Sequence, residues 1–331
     1  MRRAIKRRDF IKLIGGAGVW PAVTHAQVRK PPIVGVLWHA ANAEEEGVFF
    51  TSLLQGFHDL GYVEGRTLLI EHTYAAEQYE RFQTNAKKLV ADKVDVIVAV
   101  TRPAAMAAQR ATSTIPVVFA IVPDPVGLKL VASLARPGGN VTGLSNSATD
   151  IAAKRIELLK EAFPKISRVA LLVNPNDPIV MQRSIEEAQT AAGHLKIEIY
   201  PIEVRSGADF VEAFAVIDQR RLEAVATGID PMIYNERKQI AELARSRRLP
   251  TVLHVLEMVD AGGLMSYAPS NPVMFRRTAA YVDKILKGAS PSELPVEQPT
   301  KFDLVINLKT ADAIGVTIPS TILLRADRII E

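Results

Sequence analysis

Val94-Asp95-Val96-Ile97-Val98-Ala99-Val100-Thr101-Arg102-Pro103, followed by Pro116-Val117-Val118-Phe119-Ala120-Ile121-Val122-Pro123-Asp124-Pro125, carries the pattern that decides the fold. Each is a short β-branched run that stops at a polar residue beside a proline. Runs of this length between turn residues read as strands buried on both faces. Working outward, similar runs occur at Ile33–Trp38, Leu68–Thr73, Arg168–Val173, Ile197–Ile202, Ala224–Thr227, Pro250–Leu253 and Leu264–Tyr267. Between them lie stretches with apolar residues at helical spacing, such as Phe50-Leu53-Leu54-Phe57, Ile156-Leu159-Lys160-Phe163 and Ile240-Leu243-Ala244. Strand–helix alternation with near-continuous apolar strands predicts an α/β fold of parallel sheets covered by helices.

Two sheets fit this pattern better than one. The segment Arg136-Pro137-Gly138-Gly139-Asn140-Val141-Thr142-Gly143, with three glycines and a proline, interrupts it midway and reads as a crossing between lobes. The expected division is a first lobe over 28–141 and a second over 142–268. A return near Tyr267–Asn271 leads to a long helix (Val273–Lys287) and a Pro-rich loop (Ser290–Pro299), so that roughly 269–300 rejoin the first lobe. A strand (Asp303–Asn307) and a short helix (Lys309–Ile314) fall within 301–331, at the hinge, with no lobe assigned. Repeated crossing between two doubly wound lobes makes a hinge of several strands.

The first 26 residues read as an export signal. Lys6-Arg7-Arg8-Asp9-Phe10-Ile11-Lys12 sets paired arginines before a modest apolar run, Leu13 to Trp20, and a small-residue exit at Thr24-His25-Ala26. A basic start, a short apolar stretch and a small-x-small exit describe a cleaved secretory signal, here of twin-arginine type, with cleavage expected after Ala26. The run is well short of the roughly 20 apolar residues that span a bilayer. Removing residues 1–26, with six Lys/Arg and one Asp, from totals of 40 basic and 36 acidic residues leaves 34 against 35. The basic balance therefore belongs to the signal, and a nucleic-acid surface is not expected. With no cysteine there is no disulfide, thiol chemistry, cysteine zinc site or lipid anchor. The mature chain is expected to be a free monomer in a periplasm, with no membrane insertion.

In open parallel sheets ligands sit beyond the carboxyl ends of the strands. The first polar or aromatic residues after each strand are therefore the candidate contacts: Trp38 and His39, Thr101, Asp124, Asn174, Asp230 and His254. Asp124, Asn174 and Asp230 each precede a proline, so each is equally placed to cap a helix. Thr101 suits a ligand carboxylate, and Asp124 or Asp230 an ammonium. Trp38 either stacks on an aromatic ligand or is buried between lobe and hinge. Arg102 reads as a solvated rim residue and His254 as a core or rim histidine. The six histidines show no paired spacing, and Gly138-Gly139 lacks the context of a phosphate loop, so neither metal nor cofactor is expected. Gly143-Leu144-Ser145-Asn146-Ser147 ends in Ser where a nucleophile elbow needs Gly, which counts against an exported enzyme.

Several stretches together resemble one family: Asp124-Pro125-Val126-Gly127, Ser133–Gly143 (SLARPGGNVTG), Gly262–Tyr267 (GGLMSY), Tyr281–Gly288 (YVDKILKG), Leu294–Lys301 (LPVEQPTK), Leu304–Lys309 (LVINLK) and Arg325-Ala326-Asp327. They are similar to ABC transporter substrate-binding proteins related to the tryptophan/tyrosine-binding TrpX group. The resemblance covers essentially the whole chain after the signal. It departs at Ala268, where a glycine commonly follows Ser-Tyr, and at the bulky Trp38-His39. It implies a type I periplasmic binding protein with two Rossmann-like lobes, three crossovers and a ligand in the cleft. It also implies a membrane permease and a cytoplasmic ATPase as partners, and an amino-acid-like, often aromatic ligand. A ligand-sensing module for a receptor would use the same lobes.

Overall fold

In the computed structural model, which describes residues 30–146 and 151–331, the quoted runs become neighbouring strands of one parallel sheet. That sheet holds β1 (Ile33–Trp38), β2 (Leu69–Tyr74), β3 (Val96–Val100), β4 (Val117–Ala120) and β5 (Val141–Gly143), in the order β2-β1-β3-β4-β5. Every residue of β3 and β4 is buried. Period-two alternation sends Val96, Val98 and Val100 to one core and Ile97 and Ala99 to another, which is why no polar residue interrupts the strand. Helices α1 (Ala43–Glu46), α2 (Val48–Asp59), α3 (Tyr79–Ala91) and α4 (Thr101–Ala111) connect these strands. In α3 the buried residues Phe82, Ala86 and Leu89 form a stripe at helical spacing.

Past residue 150 the chain builds a second sheet from α5 (Ile151–Ala162), β6 (Arg168–Val173), α6 (Pro178–Leu195), β7 (Glu198–Glu203), α7 (Phe210–Gln219), β8 (Ala224–Thr227), α8 (Pro231–Asn235), α9 (Arg237–Ser246), β9 (Thr251–Leu253), α10 (Glu257–Asp260) and β10 (Met265–Ala268). Helix α11 (Asn271–Leu286) then packs along α2 on the first sheet. The two helices approach closely at Gly56, where a Cβ would lie 2.8 Å from the Arg276 backbone. The chain finally returns to the second sheet with β11 (Asp303–Asn307), α12 (Leu308–Ile314), α13 (Ser320–Leu323) and β12 (Arg328–Ile330). The order is β12-β11-β10-β9-β8-β6-β7, parallel except for β10 against β11. Two mixed α/β lobes result, and no strand is shared between their sheets.

One difference from the sequence reading concerns the crossing. Arg136–Gly143 does not leave the first lobe. Asn140 Nδ2 donates to the carbonyls of Thr112 and Ile115, and β5 pairs with β4, so the chain departs after Gly143 and not at 141/142. Gly143 allows this: at φ +153, a Cβ there would sit 2.1 Å from the Phe119 carbonyl oxygen. Just beyond, Ser145 N–H donates to the Glu297 carbonyl at 2.9 Å, so the outgoing and returning chains run side by side. β5 and β12, three residues each, were not anticipated as strands. Among the described residues no helix is long and apolar enough to cross a membrane. The expected signal, residues 1–26, lies outside the described residues.

Candidate ligand-binding site

The carboxyl ends of β1, β3 and β4 face those of β8 and β9 across a cleft of about 750 Å³, part of it continuous with solvent. That size suits a small molecule, and most of its wall is apolar, from Phe49, Ile121 and Pro123 to Val180, Ile229 and Tyr234.

From the first lobe comes backbone held under strain. Thr101, the first residue of α4, sits at φ +74, and Ile121, just past β4, at φ +50. Both are β-branched, for which the left-handed region is costly, and such outliers persist where the surroundings over-determine them. Thr101 is 5% exposed and its hydroxyl has no partner among the described residues. Among the described residues no side chain caps α4, and Thr101, Arg102 and Pro103 of its first turn line the cleft. His39 also lines the wall, but both ring nitrogens are engaged: Nδ1 lies 2.6 Å from Glu77 and Nε2 3.2 Å from Glu46. Burial opposes its charge, yet the two carboxylates outweigh burial and raise its pKa well above the usual histidine value.

The second lobe contributes charge. Arg155 on α5 is 4% exposed, and its Nε donates to the Tyr267 carbonyl at 3.1 Å. Among the described residues no carboxylate lies within ion-pair distance of it. Burial lowers its pKa to about 10, partly offset by Glu187. Asp230 caps α8, accepting from Ile233 N–H and from Asn174 Nδ2, each at 3.1 Å. Burial pushes its carboxyl up to about 7 despite those bonds, with the negative charges of Glu77 and Asp177 adding. His254, whose Nδ1 is 2.9 Å from the Thr227 hydroxyl, is pushed down to about 3 by burial and by Arg155, and is therefore neutral.

Of the seven residues expected from strand ends, His39, Thr101, Asp230 and His254 line this cleft, and three do not. Trp38 is fully buried behind the wall, donating from Nε1 to His72 at 3.0 Å and stacking on Phe275. Its position in the strand explains this: Val34, Val36 and Trp38 share the face turned toward α2 and α11. Asp124 lines a smaller adjoining recess, bonded to Arg183 of the second lobe at 2.5 Å. Asn174 lies behind Asp230 and orients it. Arg102 is no solvated rim residue, because it forms an ion pair across the cleft with Asp177 and lines the wall. Arg155, Asp177 and Asn146 were not anticipated. Arg155 did leave a trace, as the one charged residue on the stripe Ile151, Arg155, Leu158, Leu159 and Ala162 that α5 buries.

Comparison with known proteins bears on the family and the fold. A crystal structure of a conserved domain protein from Vibrio cholerae is 29% identical, covering 91% of this chain and all of that one, with a TM-score of 0.84. A structure from Streptococcus pneumonia, an ABC domain in complex with L-Trp, is 26% identical over 91% of this chain and all of that one, at a TM-score of 0.83. A tyrosine-binding protein of Clostridioides difficile is 24% identical over 79% of this chain and 74% of its own. The profile of the ABC transporter substrate binding proteins matches residues 43–330, and the chain belongs to that family.

Proposed function

We propose that this protein is the exported solute receptor of an ABC importer and holds an amino acid with an aromatic or large apolar side chain. Substrate-binding proteins of this family typically work outside the cytoplasm with a membrane permease. The observation that carries the ligand class is a buried guanidinium with no carboxylate in ion-pair reach among the described residues, facing the same cleft as a buried carboxylate with no cation among them. An unpaired buried charge is expensive unless a partner arrives. A zwitterion supplies both partners: its carboxylate meets Arg155, with Thr101 and the start of α4 opposite, and its ammonium meets Asp230. Phe49 and Tyr234, with ring centroids 5.1 Å apart, offer aromatic surface to the side chain. The relatives that bind L-Trp or carry the name tyrosine-binding support this reading.

A ligand touching both lobes favours the conformation in which they meet, and the permease would read that conformation. Export by the twin-arginine route, cleavage after Ala26, a periplasmic location, a monomeric state and a cytoplasmic ATPase complete the reading. No step of covalent chemistry belongs to it. The test is a thermal-shift and calorimetric screen of the purified protein against the common amino acids, aromatic acids and purines. A melting-temperature rise with L-tryptophan, L-tyrosine or another large apolar amino acid is expected, because a ligand specific to the folded state stabilises it. No response to any amino acid, or turnover of one, would refute the reading.

A further inference from the structure

One contact between the lobes lies off the ligand cavity and is built at unusual cost. Glu77 reaches the lobe boundary on two successive residues in left-handed conformation, Ala76 at φ +51 and Glu77 at φ +56, neither of them glycine. The turn is tied back by Ala76 N–H to the Ala40 carbonyl and by Glu77 N–H to the His39 carbonyl, at 3.0 and 2.8 Å. Its carboxylate oxygen Oε1 is gripped by His39 Nδ1, whose Nε2 faces the fully buried Glu46, itself bonded to Ala40 N–H at 2.9 Å. The same oxygen accepts from Asn235 Nδ2 of the second lobe at 3.1 Å. Among the described residues Asn235 Oδ1 has no partner, so this bond is what its amide makes there. Neither Glu77 nor Asn235 lines the ligand cavity.

Strained backbone, a buried histidine and a buried carboxylate each cost stability; the first two meet at Glu77 Oε1, and the third backs the histidine from its other ring nitrogen. What that oxygen gains beyond its own lobe is Asn235, the last residue of α8, the helix that Asp230 caps at its other end. We propose that the Glu77–Asn235 bond is a latch that biases the lobes toward contact before ligand arrives, with His39 and Glu46 as the mount that fixes Glu77. Glu77 and Asn235 are positioning residues: they raise affinity by enlarging the fraction of molecules already competent to bind. The inference rests on the two-lobe binding reading and is tested separately from it.

The chain has no cysteine, so a pair introduced at Lys87 and Gln189, exposed positions in different lobes, takes spin labels specifically. Distances are measured by pulsed electron resonance without ligand, in otherwise native protein and with Asn235→Ala or Asn235→Asp. The latch predicts a short-distance population in the parent that shrinks in Asn235→Ala and shrinks further in Asn235→Asp, where like charges face each other. It also predicts affinity for L-tryptophan about tenfold weaker in Asn235→Ala, with the melting temperature nearly unchanged. An unchanged distance distribution in both variants, or a ligand-free parent lacking any short population, overturns the latch. Should L-tryptophan not bind the parent, the ligand reading falls while the distances still decide the latch.

Discussion

The two walls of the cleft are built on different principles. On the first lobe every full charge is already matched within the protein: His39 by Glu46 and Glu77, Arg102 by Asp177. What remains there is geometry, a strained Thr101 with an unused hydroxyl and a helix start without a cap. On the second lobe the cleft-lining backbone is relaxed; Asp177 is paired with Arg102, while Arg155 and Asp230 have no ion-pair partner among the described residues. Under the proposed reading, the rigid dipoles on one side and the unpartnered ions on the other are satisfied together when both lobes close on one small zwitterion. The contrast predicts that second-lobe substitutions cost the most binding and first-lobe ones the least.

Arg155→Met is the strongest way to break that contrast. Removing a buried charged anchor should weaken amino-acid binding about a hundredfold by calorimetry. The same change takes away an uncompensated buried charge, so the ligand-free variant should melt at a higher temperature than the parent. Unchanged affinity would mean that the carboxylate is held elsewhere.

Asp230→Asn should cost about thirtyfold for L-tryptophan, and much less for the same molecule without its ammonium. A pH series sharpens the assignment. Asp230 titrates near 7, so below that it is neutral and offers an ammonium no charge. Native affinity should therefore fall about tenfold from pH 8 to pH 6. Stability runs the other way: a carboxyl raised by burial favours folding when protonated, and its contribution is lost as pH rises through about 7. Both slopes should flatten in Asp230→Asn, and a native affinity independent of pH over this range would remove Asp230 as the ammonium partner.

Thr101→Gly is milder and separates strain from contact. Glycine tolerates φ +74 at no steric cost, so the variant should gain about 1 kcal/mol in denaturant unfolding while losing the hydroxyl and about fivefold in affinity. Thr101→Ser should keep the affinity. Equal affinity in all three proteins would leave the first lobe contributing shape alone.

Much of this was legible because buried strands announce themselves as apolar runs and because parallel sheets place ligands beyond strand ends. What escaped was whatever depends on pairing across long separations. Arg102 looked solvated since its partner, Asp177, lies in the other lobe. Arg155 sits on a helix and not at a strand end, and only its place on an apolar stripe marked it. The crossing was misplaced because β5 is held by Asn140 side-chain bonds that no periodicity encodes.

Trp38 marks the small end of the scale and tests the wall from behind. It is the residue after which the first strand opens toward the cleft, yet its ring lies between Phe50, His72 and Phe275, outside the cavity. Trp38→Phe would shrink a fully buried ring and leave His72 Nδ1 without its donor. The expected cost is about 2 kcal/mol of unfolding free energy. Affinity for L-tryptophan should stay within about twofold of the parent, since altered packing two layers from a ligand reaches it only through shifts that a well-packed core resists. A large loss of affinity at unchanged stability would put the indole in the wall after all, and the first lobe would then offer stacking as well as dipoles.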